Sequence, residues 1–156
     1  MNSNTIKISL YDKLLGEISF SRNGNSNDKT FEEKKYKMTV LRDLAALLNT
    51  RSPSSTQYFD EEELTVVDYG IPDFANYSPA YEQDQLLLCK RITKAMKYFE
   101  PRIIDPFVII DSKMVNERKL RIGINGKLKI NKEVKQVTFI AEKGMNSMNW
   151  TVYEAL

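Results

Sequence analysis

Three acids and an arginine beyond the middle of the chain are the side chains best suited to chemistry. Glu100 and Arg102 flank Pro101, and Asp105 and Asp111 follow closely. A glycosidase needs little more than two carboxylates roughly 5–9.5 Å apart, one of them a protonated general acid. Glu100 as that acid, with Asp105 or Asp111 as its partner, supplies such a pair on paper. The neighbouring residues argue against it. A general acid needs an apolar pocket to raise its pKa, and a guanidinium two residues away lowers it. Residues two apart in an extended chain share a face, so Arg102 can meet Glu100 directly, or the two can reach for one partner together. The plain alternative is a helix stop closed by a surface ion pair worth about 0–1 kcal/mol.

Little else in the composition supplies reactive groups. The 156 residues contain no histidine, which removes Ser-His-Asp and Cys-His catalysis and histidine metal sites. Cys89 is the single cysteine, so an internal disulfide is excluded and a structural zinc is not expected. It falls between Leu88 and Ile92 and reads as a small core hydrophobe. Four adjacent carboxylates, Asp60-Glu61-Glu62-Glu63, point in different directions on a helix and make a solvated turn, not a metal site. No cofactor is implied. The net charge is +2. The basic excess lies from Pro101 onward, too weak and interspersed to argue for nucleic acid. The longest apolar runs, such as Phe107-Val108-Ile109-Ile110, are too short to span a bilayer. The N-terminus lacks the charged-then-apolar layout of a signal peptide.

A helix must position Glu100. Leu88, Ile92, Ala95, Met96 and Phe99 recur at spacings of three and four, which predicts a helix over about 81–99 that Pro101 stops. Glu100 then stands at the helix C-terminus, the wrong end of the macrodipole for a carboxylate. A second helix is predicted over about 31–49. Val40, Leu41, Leu44, Ala45, Leu47 and Leu48 form its stripe, Arg42, Asp43 and the lysines at 34, 35 and 37 face out, and Asn49 is the C-cap. Ile6, Leu10, Leu14 and Leu15 suggest an amphipathic helical segment over 1–20. Residues 21–30 read as a flexible polar linker, and 31–156 as one folded domain. The acidic run before Leu64, Val66 and Val67 suits the start of a short helix, and Tyr69-Gly70-Ile71-Pro72-Asp73 is a turn.

After Pro101 the period falls to two. Phe107–Asp111 has strand length. Leu120, Ile122 and Ile124 alternate with polar residues, Asn125-Gly126 is the strongest short hairpin signal, and Leu128 and Ile130 continue beyond it. Val134–Ala141 and Trp150–Tyr153 make further strands. The fold class expected is α+β: two main helices on a mainly antiparallel sheet of about four strands, with an N-terminal helical segment.

Three separated stretches agree with one family. Leu41-Arg42-Asp43-Leu44 with Leu47-Leu48-Asn49-Thr50-Arg51 resembles its first core helix and exit. Thr65-Val66-Val67-Asp68-Tyr69-Gly70-Ile71-Pro72-Asp73 resembles its S-V-x-N-Y-G-[LI]-P-D turn, with Thr65 and Asp68 in place of the usual Ser and Asn. Phe99-Glu100-Pro101-Arg102 resembles its Glu-Pro-Arg signature. The family is TssE, the baseplate wedge protein of type VI secretion systems, with its relatives in contractile phage tails, some of them labelled lysozyme-like. The resemblance covers about residues 38–153.

It implies a non-catalytic structural protein in the cytoplasm, at a baseplate docked on the inner face of the cell envelope. The implied partners are the wedge proteins TssF and TssG, TssK, and the sheath subunits TssB and TssC. Neither nucleic acid nor membrane insertion is implied. The signature, implicated in holding the wedge's helical core bundle, falls here on Glu100, Pro101 and Arg102. The sheath would add a strand to an open edge of the C-terminal sheet, where Lys127, Lys129 and Lys135 discourage self-pairing without forbidding a complementary strand. Lys129 or Lys135 is expected on that edge. The rival readings are the lysozyme-like hydrolase and an adaptor unrelated to contractile machines.

Overall fold

The change of period at Pro101 divides the molecule as it divides the sequence. A computed structural model of the chain describes residues 26–75, 77–78, 81–111, 119–130, 133–144, 147 and 149–155. Among them, helices come first: α1 (Ser26–Asn49), α2 (Thr56–Glu61), a 3-10 turn (Val66–Asp68) and α3 (Glu82–Phe99). Strands β1 (Ile103–Ile110), β2 (Lys119–Ile130), β3 (Glu133–Gly144) and β4 (Thr151–Glu154) follow. They form one antiparallel meander in the order β1-β2-β3-β4. The α+β expectation therefore holds. The amphipathic segment 1–20 lies outside the described residues.

One face of the sheet buries Val108, Ile122, Ile124, Leu128, Ile130, Val137, Phe139 and Ala141. These residues alternate along the strands because every second side chain points to the same face. Helices α1 and α3 complete the core on that face. Tyr36, Val40, Leu44, Leu47 and Leu48 form the buried stripe of α1, and Leu88, Ile92, Ala95 and Met96 that of α3. Cys89 is half-buried against the core, and burial pushes its thiol pKa up, as its reading as a small hydrophobe requires.

The chain's far end closes onto α1. The Asn49 side chain does not cap its own helix. Its Nδ2 donates to the Trp150 carbonyl at 3.0 Å, and its Oδ1 accepts from the Trp150 N–H at 2.7 Å. The Trp150 ring is thereby held in the core.

Three local expectations need correction. The polar stretch 21–30 is helical from Ser26 on, with 21–25 outside the described residues. Gly24 is the last helix breaker before Asn49, so nothing after it stops the helix from extending toward the N-terminus. The acidic run ends a helix instead of starting one. Ser55 caps α2 by accepting from the Tyr58 N–H at 3.2 Å, and Glu62 is the C-cap. Acids at that end are unfavourable for the dipole, and basic residues of α3 offset them. Arg91 donates to both Asp60 carboxylate oxygens, at 2.9 and 2.6 Å, and Lys94 Nζ donates to the carbonyls of Asp60 and Glu62 at 3.1 and 2.8 Å.

The third correction is the hairpin. Asn125-Gly126 lies inside β2, with Asn125 opposite Thr138 and Gly126 opposite Val137. β2 runs on to Ile130, which pairs with Glu133 of β3. Gly126 answers a different demand. Across from it, β1 carries an extra residue between Ile104 and Phe107, at Asp105-Pro106, and Asp105 adopts a left-handed φ of 49°. The bulge brings β1 over Gly126 so closely that a Cβ there would stand 2.4 Å from Ile103 Cγ2.

Two outcomes follow. Gly126→Ala should lower the unfolding free energy by about 1–3 kcal/mol through overpacking against Ile103. A urea titration reads this directly, whereas a glycine needed only for a hairpin turn would leave Ile103 unstrained. Hydrogen bonding from Arg91, opposed by burial, lowers the Asp60 pKa. The contribution of Asp60 is therefore complete above the ordinary carboxylate pKa and lost as pH falls through the lowered folded value. Asp60→Asn should cost about 1–2 kcal/mol at pH 7, and its deficit relative to wild type should shrink in urea titrations below about pH 4.

Candidate functional site

Pro101 ends α3, and the two residues beside it turn inward. Glu100 is 3% exposed and Arg102 is 9% exposed, so the pair is not a surface ion bridge. Arg102 Nε donates to Glu100 Oε1 and its Nη2 to Glu100 Oε2, a fork on a carboxylate. Nη2 also donates to Asp43 Oδ2 at 2.6 Å, and Nη1 approaches Thr39 Oγ1 at 3.5 Å. One guanidinium thus joins the end of α3, the start of β1 and two positions one turn apart on α1.

Burial opposes the Arg102 charge, but the hydrogen bonds and charges of Glu100 and Asp43 outweigh it and drive the pKa upward. Two tyrosines enclose the cluster. Burial raises the pKa of Tyr36, with a further push from Glu100 that Arg102 opposes. Burial also raises that of Tyr69, with added contributions from Asp43 and Glu100. The Tyr69 ring meets Phe99 edge to face at 5.3 Å.

The three motifs of the sequence therefore meet in space. Asp43 comes from the first, Tyr69 from the second, and Phe99, Glu100 and Arg102 from the third. The first two are also tied by backbone. Ile71 N–H donates to the Thr50 carbonyl and Ser52 N–H to the Ile71 carbonyl, both at 2.9 Å. Gly70, at φ 120°, makes this approach possible, because a Cβ there would stand 2.5 Å from the Thr50 oxygen.

This geometry does not suit Glu100 to glycosidic acid catalysis. Both of its oxygens accept from Arg102, and it is closed off from any substrate. Asp105 lies on the bulge of β1, at the rim of a concavity of about 250 Å³ lined by Phe107, Gly126 and Lys127 but not by Glu100. What the cluster can do is fix the mutual placement of three elements.

A scan against family models matches residues 34–133 to the baseplate wedge protein gp25 family. The chain belongs to that family. TssE proteins are members of it, so the resemblance carried by the three motifs stands at family level. The gp25 family supplies structural components of baseplates in phage-tail-like machines. A search of curated proteins finds no match to this chain.

Two of the three lysines take positions other than the edge expected for them. Lys127 and Lys129 lie on β2, between β1 and β3, so neither belongs to an edge strand. Lys127 pairs with Asp105 at 3.2 Å across the bulge. Lys135 lies on β3, and its Nζ donates to Glu33 of α1 at 2.6 Å. That hydrogen bond, opposed by burial, lowers the Glu33 pKa. Pro101 is the exposed member of the signature. Asp43 was missed because helical period alone assigns it outward. Its spacing of four from Thr39 is the signal that could have found it, since both lie on one border of the α1 stripe.

Arg102→Ala should destabilise the isolated chain by roughly 3–5 kcal/mol, because it leaves Glu100 buried without its partner. The paired change Glu100→Gln with Arg102→Met should cost markedly less. Chemical denaturation of the two variants checks this, and equal losses would mean that the two residues do not act as a unit.

Proposed function

We propose that this chain is a non-catalytic component of a contractile injection baseplate of the type VI secretion kind, joining the wedge to the first ring of the sheath. On this reading it works on the cytoplasmic side, at a baseplate on the inner face of the envelope. Its wedge partners are TssF and TssG with TssK, and TssB and TssC supply the sheath. The buried cluster of Glu100 and Arg102 serves the wedge side indirectly. It sets the angle at which α3 gives way to β1, and so the disposition of the exposed Tyr98 and Pro101.

The observation that carries the sheath side is the asymmetry of the sheet's edges. At one edge, β1 is blunted by its bulge and by Pro106, two common devices against strand addition. At the other, β4 spans only Thr151–Glu154 and pairs β3 from Phe139 to Glu142. The first half of β3 extends past it. Ala155 N–H donates to the Thr138 carbonyl, so residue 138 directs its backbone groups toward the β4 side. Backbone direction alternates along a strand. Val134 and Gln136 therefore offer their N–H and C=O on that side, while Lys135 directs its own toward β2. A strand from the sheath would find its hydrogen-bond partners at Val134 and Gln136.

Gln136→Pro removes one of those donors without touching a β2 hydrogen bond. It should reduce sheath recruitment to background in a reconstituted baseplate, leave co-purification with the wedge proteins intact, and Gln136→Ala should be silent. Normal recruitment by Gln136→Pro would show that the sheath joins elsewhere.

A further inference from the structure

Between α2 and the Tyr69–Asp73 turn, the chain presents two adjacent valines to solvent. Val66 is 87% exposed and Val67 is 74% exposed. Their neighbours are fixed. The Asp68 carboxylate is buried, accepts from the Thr65 N–H at 2.8 Å and from Thr65 Oγ1 at 2.9 Å, and is also hydrogen-bonded by Ser54 Oγ. The Asp68 N–H returns to the Thr65 carbonyl at 3.0 Å, closing the 3-10 turn. Leu64 is buried just before it, and Tyr69 is packed on Phe99 just after it. The valines are thus held out on a rigid support connected to the buried cluster.

Nothing in the fold calls for valine at these positions. Turns favour Gly, Asn, Asp and Ser, and β-branched residues are poor turn formers. A polar residue would serve the local structure better at positions so exposed. For binding, valine has one advantage: its single stiff χ1 loses little freedom when it is enclosed. Immediately before the turn, Glu61, Glu62 and Glu63 are exposed, and the carboxylates of Glu62 and Glu63 have no partner among the described residues. An apolar pair flanked by unneutralised acids has the layout of an interface anchor with a charged rim.

We propose that Val66 and Val67 form a docking knob that inserts into an apolar socket rimmed by lysine or arginine on another baseplate protein. The acidic flank sets the sign of the partner's rim, and it repels nucleic acid and anionic lipid surfaces. The contact is separate from the strand edge at Val134 and Gln136, so the chain would hold its neighbours through two different kinds of contact. This inference rests on the baseplate reading of the protein.

The test uses full-length chain and the co-produced wedge proteins, with affinity measured by titration. The double variant Val66→Ser with Val67→Ser should melt like wild type, because both side chains are exposed. It should bind the wedge on the order of 100-fold more weakly. Glu62→Lys with Glu63→Lys should weaken binding about 10-fold at low salt and flatten its salt dependence. Wild-type binding that the valine variant matches would overturn the knob and leave the baseplate reading standing. A wild-type chain that binds no wedge protein would overturn both. A wild-type dimer that the valine variant converts to monomer would overturn it in favour of self-association.

Discussion

The guanidinium of Arg102 is the point on which the rest of this structure depends. Taking a charge out of water is expensive, and the attraction of its partners offsets that expense only when geometry and hydrogen bonding are both good. Here Glu100 occupies one fork of the guanidinium, Asp43 takes the other N–H of Nη2, and Nη1 approaches Thr39. Such a cluster adds little net stability over a well-packed apolar group. Its effect is selective. Leucines tolerate a shift of one helix past another, but a carboxylate that slides away from a buried guanidinium leaves both uncompensated. The register of α1 against the junction of α3 and β1 is therefore fixed by charge.

The remaining motif residues extend that fixed point outward. Tyr69 packs on Phe99 next to the cluster, and Gly70 lets the following chain pair with the exit of α1. Arg51 and Asp73 then bridge at 2.9 Å on the surface, a contact worth about 0–1 kcal/mol at that exposure. Strength thus falls from the buried ion cluster through an aromatic contact to a solvated bridge. The exposed valine turn sits near the soft end of this series but is anchored at the hard end. A family whose members must fit among several neighbours gains from a scaffold that cannot slide.

Much of this was legible in the sequence, and most of the failures share a cause. Periodicity located α1 and α3 because their buried stripes are long. It located the strands because alternation persists wherever one face is covered. The Glu-Pro-Arg stretch was legible as a site, yet its burial was not, because spacing along the chain gives a shared face without saying whether that face meets water. Asn125-Gly126 misled because turn chemistry is a property of four residues, whereas Gly126 is required by a bulge on another strand. The acids at 60–63 misled in the same way: their compensation comes from Arg91 and Lys94, some thirty residues on. These misses concern residues whose reason lies on a different element; the helical start of α1 at Ser26 is the exception, its reason lying in its own segment.

The paired hydrogen bonds between Asn49 and Trp150 also govern the order in which the molecule can be built. They close a loop of about a hundred residues, and contacts of such long sequence separation form late, after the entropy of bringing the ends together has been overcome. The meander from β1 to β3 is assembled from sequence neighbours and needs no such closure. On a ribosome, α1 and α3 emerge well before Trp150, so their shared core stays open at one side until Trp150 has followed. Trp150 is the sole tryptophan. Its fluorescence consequently reports the moment at which the exit of α1 and the segment leading into β4 meet.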